Sequence, residues 1–202
     1  MQNEARRELA ELVRWIYSKG WAPGTGGNFG LVVSEDPLRL LITPSGQDKG
    51  SIAPEDLLLV DSGGRNADDD RKPSAETLLH LAIIEQRKPR LIVHIHTVWN
   101  TLISLAQGSE CRITGLEMLK GLTGVATHEH EEIIPILENS QNMPKLAARM
   151  TDALRRYPTA HGVLLRGHGL YTWGYNVEEA RRHLEIFEFL FEVTVRAKTV
   201  GH

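Results

Sequence analysis

Two histidines separated by one residue, His94 and His96, follow the apolar run Leu91-Ile92-Val93. Such a run predicts a β-strand over residues 91–96. Side chains at positions i and i+2 leave a strand on the same face, so both imidazoles can converge on one point. Imidazole nitrogen is a ligand of zinc and of other divalent transition metals. The pair therefore indicates a metal site.

A third histidine strengthens this interpretation. His168 lies between Gly167 and Gly169 at a predicted strand turn, and glycine allows close approach of the backbone to a ligand. Three imidazoles leave an open position on zinc, as in catalytic sites, whereas structural zinc sites are closed by protein ligands. We therefore predict a catalytic divalent ion, zinc in the first place, with iron, manganese and cobalt as open alternatives.

The chain has nine histidines, and the other six are assigned different roles. The segment His128-Glu129-His130-Glu131-Glu132 is a rival metal cluster, but its charge density in a turn-rich region favours a solvated surface. Structural or surface roles are predicted for the remaining histidines, which are His80, His161, His183 and His202. The single cysteine, Cys111, is predicted to be buried and structural, with a catalytic thiol as the alternative.

Apolar periodicity defines the elements that must position these residues. Helices are predicted over residues 5–16, 74–88, 98–106, 145–156 and from 177 onward, the second with Ser74 as its cap. Strands are predicted over residues 31–33, 40–43, 57–60, 91–96, 163–165 and 169–173, with an exposed acidic loop after residue 60. Residues 108–135 show weak periodicity. Because strands come in pairs and do not alternate with helices, the pattern argues against a doubly wound parallel sheet.

Length and charge limit the class of protein. The chain of 202 residues fits one domain, residues 1–202, with a substantial core. A net charge of -3 gives no reason to expect nucleic acid or an anionic membrane as a partner. Residues 1–11 lack the apolar core of a signal peptide, and no apolar run approaches the ~20 residues that span a bilayer. One cysteine fits a reducing, cytoplasmic setting.

Five short motifs occur in one order along nearly the whole chain and together resemble the class II aldolase family. They are Gly26-Gly27-Asn28, Thr43-Pro44-Ser45-Gly46, Lys72-Pro73-Ser74-Ala75-Glu76, His94-Ile95-His96 and Arg166-Gly167-His168-Gly169. The resemblance implies an α/β fold, a three-layer αβα sandwich around a mixed, largely antiparallel sheet. It also implies one Zn²⁺ per subunit on His94, His96 and His168, and a homotetramer with sites near subunit interfaces. The phosphate pocket of the family maps to Asn28, Ser45, Gly46 and Ser74.

Two further segments resemble the dehydratase branch of the family, which acts on 5-methylthioribulose 1-phosphate in methionine salvage. They are Ile113-Thr114-Gly115-Leu116-Glu117-Met118-Leu119-Lys120-Gly121 and Tyr171-Thr172-Trp173-Gly174. Two carboxylates compete for the role of acid/base. Glu117 matches the acid/base of the dehydratase and is preferred, whereas Glu76 matches the catalytic glutamate of the aldolases. Residues expected near a methylthio group are Trp99, Leu116 and Met118.

Two alternatives remain open at this stage. The first is a sugar-phosphate aldolase or epimerase on the same scaffold, although residues 198–202 lack the tyrosine that many family aldolases carry in their tail. The second is a non-catalytic, zinc-stabilised interaction module. That alternative requires a filled coordination sphere and leaves the phosphate-type loops and Glu117 unexplained.

Overall fold

The computed structural model describes residues 2–66 and 70–199. His202 and residues 67–69 of the predicted acidic loop lie outside the described part. Within it, the helices are α1 (Gln2–Ser18), α2 (Thr77–Arg87), α3 (Val98–Ala106), α4 (Met143–Arg156) and α5 (Val177–Thr199). The strands are β1 (Asn28–Glu35), β2 (Leu38–Ile42), β3 (Leu58–Val60), β4 (Leu91–Ile95), β5 (Glu110–Ile113), β6 (Glu132–Leu137), β7 (Gly162–Leu165) and β8 (Gly169–Gly174). Short 3-10 helices cover Pro54–Asp56 and Glu117–Gly121.

The strands form one sheet in the order β3-β2-β1-β4-β8-β7-β6-β5. All neighbours are antiparallel except β6 and β7, which are parallel. In the centre of the sheet, β4 lies between β1 and β8, and its register places His94 opposite both Asn28 and Tyr171. The predicted mixed, largely antiparallel sheet is confirmed, and its central register brings these three polar side chains together.

Helices cover both faces of the sheet. Alternate residues of β4, Leu91, Val93 and Ile95, join the core beneath α1, α3 and α5, whereas Ile92 joins the core beneath α2 and α4. This alternation follows from the two-residue period of a strand. The three-layer αβα sandwich is therefore confirmed, and His94 leaves β4 on the face of Ile92, toward α2.

The region of weak periodicity contains structure that the sequence did not reveal. Strands β5 and β6 pair at the edge of the sheet, and Pro135 of β6 stands opposite Glu110. A proline inside an apolar run argues against a central strand, because it has no N–H to donate to the ladder. Strand β6 lies between β7 and β5, but its pairing with β7 begins only at Ile136, after the proline. Strand β5 has only four residues, which leaves little period-two pattern to recognise.

The start of α2 differs from the prediction. The helix begins at Thr77, with Glu76 as its N-cap residue, and not at a cap formed by Ser74. Ser74 instead forms a turn, since its Oγ accepts from the Glu76 backbone N–H at 3.3 Å and its carbonyl from the Thr77 backbone N–H at 3.1 Å. Glu76 consequently has a non-helical backbone, with φ -92° and ψ 12°.

A buried carboxyl group on α5 supports the start of α3. Glu188 Oε1 accepts hydrogen bonds from Thr97 Oγ1 at 2.9 Å and from Asn100 Nδ2 at 3.4 Å, and these two residues form the capping box of α3. Burial raises the pKa of Glu188 to about 7, against the effect of these hydrogen bonds. Glu188 thus links α5 to the residue that follows His96.

Glu188→Gln is expected to stabilise the fold above neutral pH. In the folded and in the unfolded chain alike, the Glu188 carboxyl is protonated below its ordinary pKa of 4.5 and ionised above about 7. Between these values it is ionised only in the unfolded chain. Its contribution to stability therefore declines as pH rises through this window, by about 3 kcal/mol at the upper end. Urea unfolding at about pH 5 and about pH 8 should show a gain for the variant mainly at the higher pH. The exposed Glu185→Gln on the same helix is the control, and an equal gain at both pH values would contradict the raised pKa.

Candidate metal centre

Three imidazoles converge at the end of β4. His94 Nε2 lies 2.8 Å from His96 Nε2 and 3.4 Å from His168 Nε2. Within the described residues, these histidines form a group of potential ligands whose ligating atoms all lie within 4.8 Å of one another. His94 and His96 come from the end of one strand, and His168 comes from the turn between β7 and β8. The structure thus brings together all three predicted metal ligands.

Glycines in the β7–β8 turn permit this convergence. Gly167 has a φ of +62°, a conformation that side chains disfavour. A Cβ at Gly169 would collide with the Ile95 carbonyl oxygen and would lie 2.9 Å from His94 Cε1 and from His96 Cδ2. The turn can bring His168 against β4 because neither position carries a side chain.

The protonation states of His94 and His96 suit a metal ion. His94 Nδ1–H donates to the Leu170 carbonyl oxygen at 3.0 Å, which leaves the Nε2 lone pair facing the cluster. Burial, together with the neighbouring His96 and His168, holds the pKa of His94 well below its usual range, and burial lowers the pKa of His96 to about 4. Neutral imidazoles with an oriented second nitrogen are the form that binds divalent metals. The donor set therefore fits a divalent ion.

A carboxylate lies beside the three histidines. Glu76 Oε2 is 3.3 Å from His94 Nε2, and Oε1 is 3.5 Å from His168 Nε2. The position of Glu76 at the N-cap of α2 directs its side chain toward the end of β4. Of the two predicted acid/base candidates, Glu76 is therefore the one that its own chain places at the metal centre.

A hydrogen-bond chain fixes the orientation of the Glu76 carboxylate. Oε2 accepts from Asn28 Nδ2 at 2.6 Å and from the Tyr171 hydroxyl at 2.8 Å. Asn28 Oδ1 in turn accepts from His80 Nε2 at 2.5 Å. Burial lowers the pKa of His80 to about 4 and raises the pKa of Tyr171 well above its usual range, so both are neutral donors. Oε2 of Glu76 thus accepts two hydrogen bonds from side chains. Oε1 accepts none from Asn28 or Tyr171 and faces the histidines.

The predicted phosphate-binding residues line the same pocket as the metal centre. The cavity has a volume of about 380 Å³. Its walls include Asn28, Ser45, Gly46, Ser74, Glu76, His96 and His168. Thr43-Pro44-Ser45-Gly46 and Lys72-Pro73-Ser74 meet there through an isolated bridge between Pro44 and Pro73. Residues far apart in the sequence thus form one site.

Glu117 lies elsewhere on its own chain. Its side chain is 71% exposed, and its carboxylate pairs with Lys120 Nζ at 2.8 Å and lies 3.8 Å from His128 Nδ1. Leu116 and Met118 flank it on the same surface segment, and none of these residues lines the 380 Å³ pocket. Trp99 does not line this pocket either. It packs against the core beneath the Arg196 guanidinium.

The rival histidine cluster is divided between two roles. His128 is exposed, whereas His130 Nε2 and His161 Nδ1 each lie 3.0 Å from the buried Glu132 carboxylate. Burial opposes protonation of His161, but its hydrogen bond to Glu132, the charge of Glu132 and the Thr123 carbonyl together outweigh burial and raise its pKa. Within residues 2–66 and 70–199, the 128–132 segment contributes to no group of metal ligands. This segment was predicted to be a solvated surface. His128 fits that prediction, whereas Glu132 is buried and pairs with histidines.

The prediction for Cys111 is confirmed. The side chain is fully buried, and burial raises the pKa of its thiol to about 11. A thiol with such a pKa is protonated at neutral pH and is a weak nucleophile.

Three residues at the site were not found from the sequence: His80, Tyr171 and Lys49. His80 had a signal, because it stands four residues after Glu76 and therefore shares its helix face. Tyr171 reaches Glu76 only through the β4–β8 register. Lys49 lines the pocket from a loop that has no periodicity.

Comparison with known proteins identifies the family. Residues 7–195 match the Class II Aldolase and Adducin N-terminal domain, and the chain belongs to this family. It is 44% identical over 200 residues to a methylthioribulose-1-phosphate dehydratase of Pectobacterium atrosepticum, covering 98% of this chain and 96% of that protein. The dehydratase of the same description from Methylococcus capsulatus is 40% identical over 190 residues, covering 94% of this chain and 92% of that protein.

Solved structures show the same fold. An L-fuculose 1-phosphate aldolase superposes with a TM-score of 0.83 at 23% identity, covering 98% of this chain and 88% of that chain. The L-fuculose-1-phosphate aldolase of Thermus thermophilus gives a TM-score of 0.78 at 24% identity, covering 98% and 97%. Within the described residues, none of the helices is long and apolar enough to cross a membrane.

Proposed function

We propose that this chain is a metal-dependent hydro-lyase of methionine salvage. It converts 5-methylthioribulose 1-phosphate to 5-methylthio-2,3-dioxopentyl phosphate and water. The observation that carries the proposal is the pocket in which three imidazoles, the Glu76 carboxylate and the predicted phosphate loops meet. The relatives that are 40–44% identical over nearly the whole chain support the choice of substrate.

His94, His96 and His168 would hold one divalent ion per chain, and we propose zinc. Three imidazole donors suit zinc and leave room for substrate oxygens. When bound, the ion supplies Lewis acidity that acidifies the C–H next to the substrate ketone and stabilises negative charge on its oxygen. The Leu170 carbonyl holds the His94 ring in the tautomer that such an ion requires.

Ser45, Gly46, Ser74 and Asn28 are proposed to bind the phosphate. Hydroxyls and backbone N–H groups freed by a glycine turn are suitable donors to phosphate oxygens. Gly46 has a φ of +72°, which permits this turn. Asn28 lines the same pocket, where Glu76 and His80 hold its amide in place.

Glu117 is proposed as the acid/base of the dehydration. A base must take the proton from the carbon next to the ketone, and an acid must protonate the hydroxyl that leaves the following carbon. Because Glu117 is exposed and absent from the pocket of its own chain, we propose that it acts in the site of a neighbouring subunit of a homotetramer. Leu116 and Met118, which flank Glu117, would enter the same site and supply apolar surface to the methylthio group.

An aldolase or epimerase remains a second candidate, and one observation favours it. Glu76 lies beside the histidines, where the aldolases of the family carry their catalytic glutamate. A non-catalytic zinc module is disfavoured, since a cavity of about 380 Å³ adjoins the three imidazoles. We further propose a cytoplasmic protein that acts on a small phosphorylated sugar, without a nucleic acid or membrane partner.

Incubation of the purified protein with 5-methylthioribulose 1-phosphate tests the function. We expect a product one water lighter by mass spectrometry, with loss of turnover after chelation and recovery with Zn²⁺. L-fuculose 1-phosphate is the comparison substrate for aldol cleavage. Cleavage of that sugar without dehydration of the methylthio substrate would reject the dehydratase in favour of the aldolase.

A further inference from the structure

Among the residues that the structure describes, a lysine of the candidate site is buried without a carboxylate partner. Lys49 is 1% exposed and lines the pocket that holds the histidines. Its Nζ donates to the Thr25 carbonyl oxygen at 3.1 Å and to the Gln47 carbonyl oxygen at 2.7 Å. An ammonium group has three N–H donors, so these carbonyls account for two of them.

Within the described part of the chain, Lys49 forms no ion pair, although the charge of Asp48 acts on it. Its neighbour Asp48 accepts from the Ser51 backbone N–H at 3.0 Å, and no carboxylate of the described residues lies within 4.0 Å of Lys49 Nζ. A buried charge is costly when neutral dipoles alone solvate it. Consistent with this, burial lowers the pKa of Lys49. An anion in the adjoining cavity would offset this cost.

The surroundings of Lys49 define the kind of anion. Its two carbonyl partners belong to the loops that carry Gly26-Gly27 and Ser45-Gly46, and Ser74 completes the same wall. These neighbours are neutral donors suited to a tetrahedral anion, whereas the carboxylate of Glu76 lies toward the histidines. A cation beside neutral donors suits a phosphate dianion better than neutral donors alone.

We infer that the Lys49 ammonium is the charged anchor for the substrate phosphate, an inference whose substrate rests on the proposed function. It would bind the phosphate with Ser45, Gly46 and Ser74 and would hold the two loops in place. Lys49 thereby selects phosphorylated sugars over their unphosphorylated forms.

Inorganic phosphate is the direct probe, and titration calorimetry of the zinc-loaded protein is the measurement. Lys49→Gln keeps N–H donors for the two carbonyls but removes the charge, and Lys49→Arg keeps the charge. We expect Lys49→Gln to weaken phosphate binding by roughly 10- to 100-fold, the scale of a lost charge-assisted hydrogen bond. Lys49→Arg should recover part of it. Lys19→Met, at an exposed lysine outside the pocket, should bind phosphate as the wild type does.

Kinetics provide a second, independent measurement. With 5-methylthioribulose 1-phosphate, Lys49→Gln should raise KM by a similar factor with a smaller change in kcat and an unchanged zinc content. With the unphosphorylated 5-methylthioribulose, wild type and Lys49→Gln should turn over equally. A loss of the same size on both substrates would show that Lys49 only supports the loops and would overturn the inference.

The inference and the proposed function fail differently. If phosphate binding depends on Lys49 but the methylthio substrate is not dehydrated, the proposed function is rejected and the role of Lys49 as an anion anchor is retained. If the substrate is dehydrated but the wild type and Lys49→Gln bind phosphate equally, the proposed function is retained and the role of Lys49 as an anion anchor is rejected.

Discussion

Glu117→Gln is expected to lower kcat on 5-methylthioribulose 1-phosphate by ~10²–10⁴, the contribution of a placed acid/base. Glutamine keeps the shape of the side chain and removes the titrating group, so zinc content should be unchanged. A bound ion would supply Lewis acidity, but a side chain is still needed to take the proton from the C–H and to protonate the hydroxyl that leaves as water. Glu129→Gln, in the same exposed region, is the matched control and should retain wild-type kcat.

Glu76→Gln separates the dehydratase from the aldolase arrangement. Because Glu76 lies beside His94 and His168, we expect its substitution to act mainly on substrate binding or metal content, with a milder loss of kcat. Measurement of kcat, KM and zinc for both variants decides between the two carboxylates. Loss of turnover with Glu76→Gln while Glu117→Gln stays near wild type would reverse the assignment.

The proposed action of Glu117 across subunits can be tested with hybrids. Glu117→Gln and His94→Ala chains are each expected to be inactive as homo-oligomers. When they are unfolded and refolded together, a site can combine intact histidines from one chain with Glu117 from another. We therefore expect partial recovery of activity. Absence of recovery in hybrids confirmed by mass spectrometry would place Glu117 in the site of its own chain or outside the reaction.

Removal of any one metal ligand is the second prediction with a large effect. Elemental analysis should find about one divalent ion per wild-type chain. His94→Ala, His96→Ala or His168→Ala should lower metal affinity by more than the ~10- to 100-fold that loss of an outer supporting partner costs. Turnover should be lost with the ion. His94 should be the most sensitive position structurally, because it is fully buried and stacks on Tyr171 at 3.9 Å between ring centroids.

The control for the metal prediction comes from the rival cluster. His128 is exposed and contributes to no ligand group within the described residues, so His128→Ala should keep the wild-type metal content. Equal metal content in the wild type and in a triple His94/His96/His168→Ala variant would contradict the proposed centre.

Features with a local cause were predicted correctly from the sequence. The His94–His96 pair follows from the two-residue period of a strand, and the helices from their 3.6-residue period. His168 was marked by its flanking glycines, and the order of five short motifs indicated the sandwich fold that the sheet confirms. Strands β5 and β6 were missed, because β5 has only four residues and Pro135 interrupts the apolar run of β6.

The tertiary structure decided which side chains meet. Register across β1, β4 and β8 sets Asn28 and Tyr171 around His94, and the late start of α2 directs Glu76 into the same place. Lys49 lies in the pocket because two loops pack together, and loops have no periodic pattern of apolar residues in the sequence. Glu117 shows the converse, since a motif marked it but the chain holds it at the surface. Local patterns fix which face of its own element a residue occupies, whereas its partners depend on contacts between distant segments.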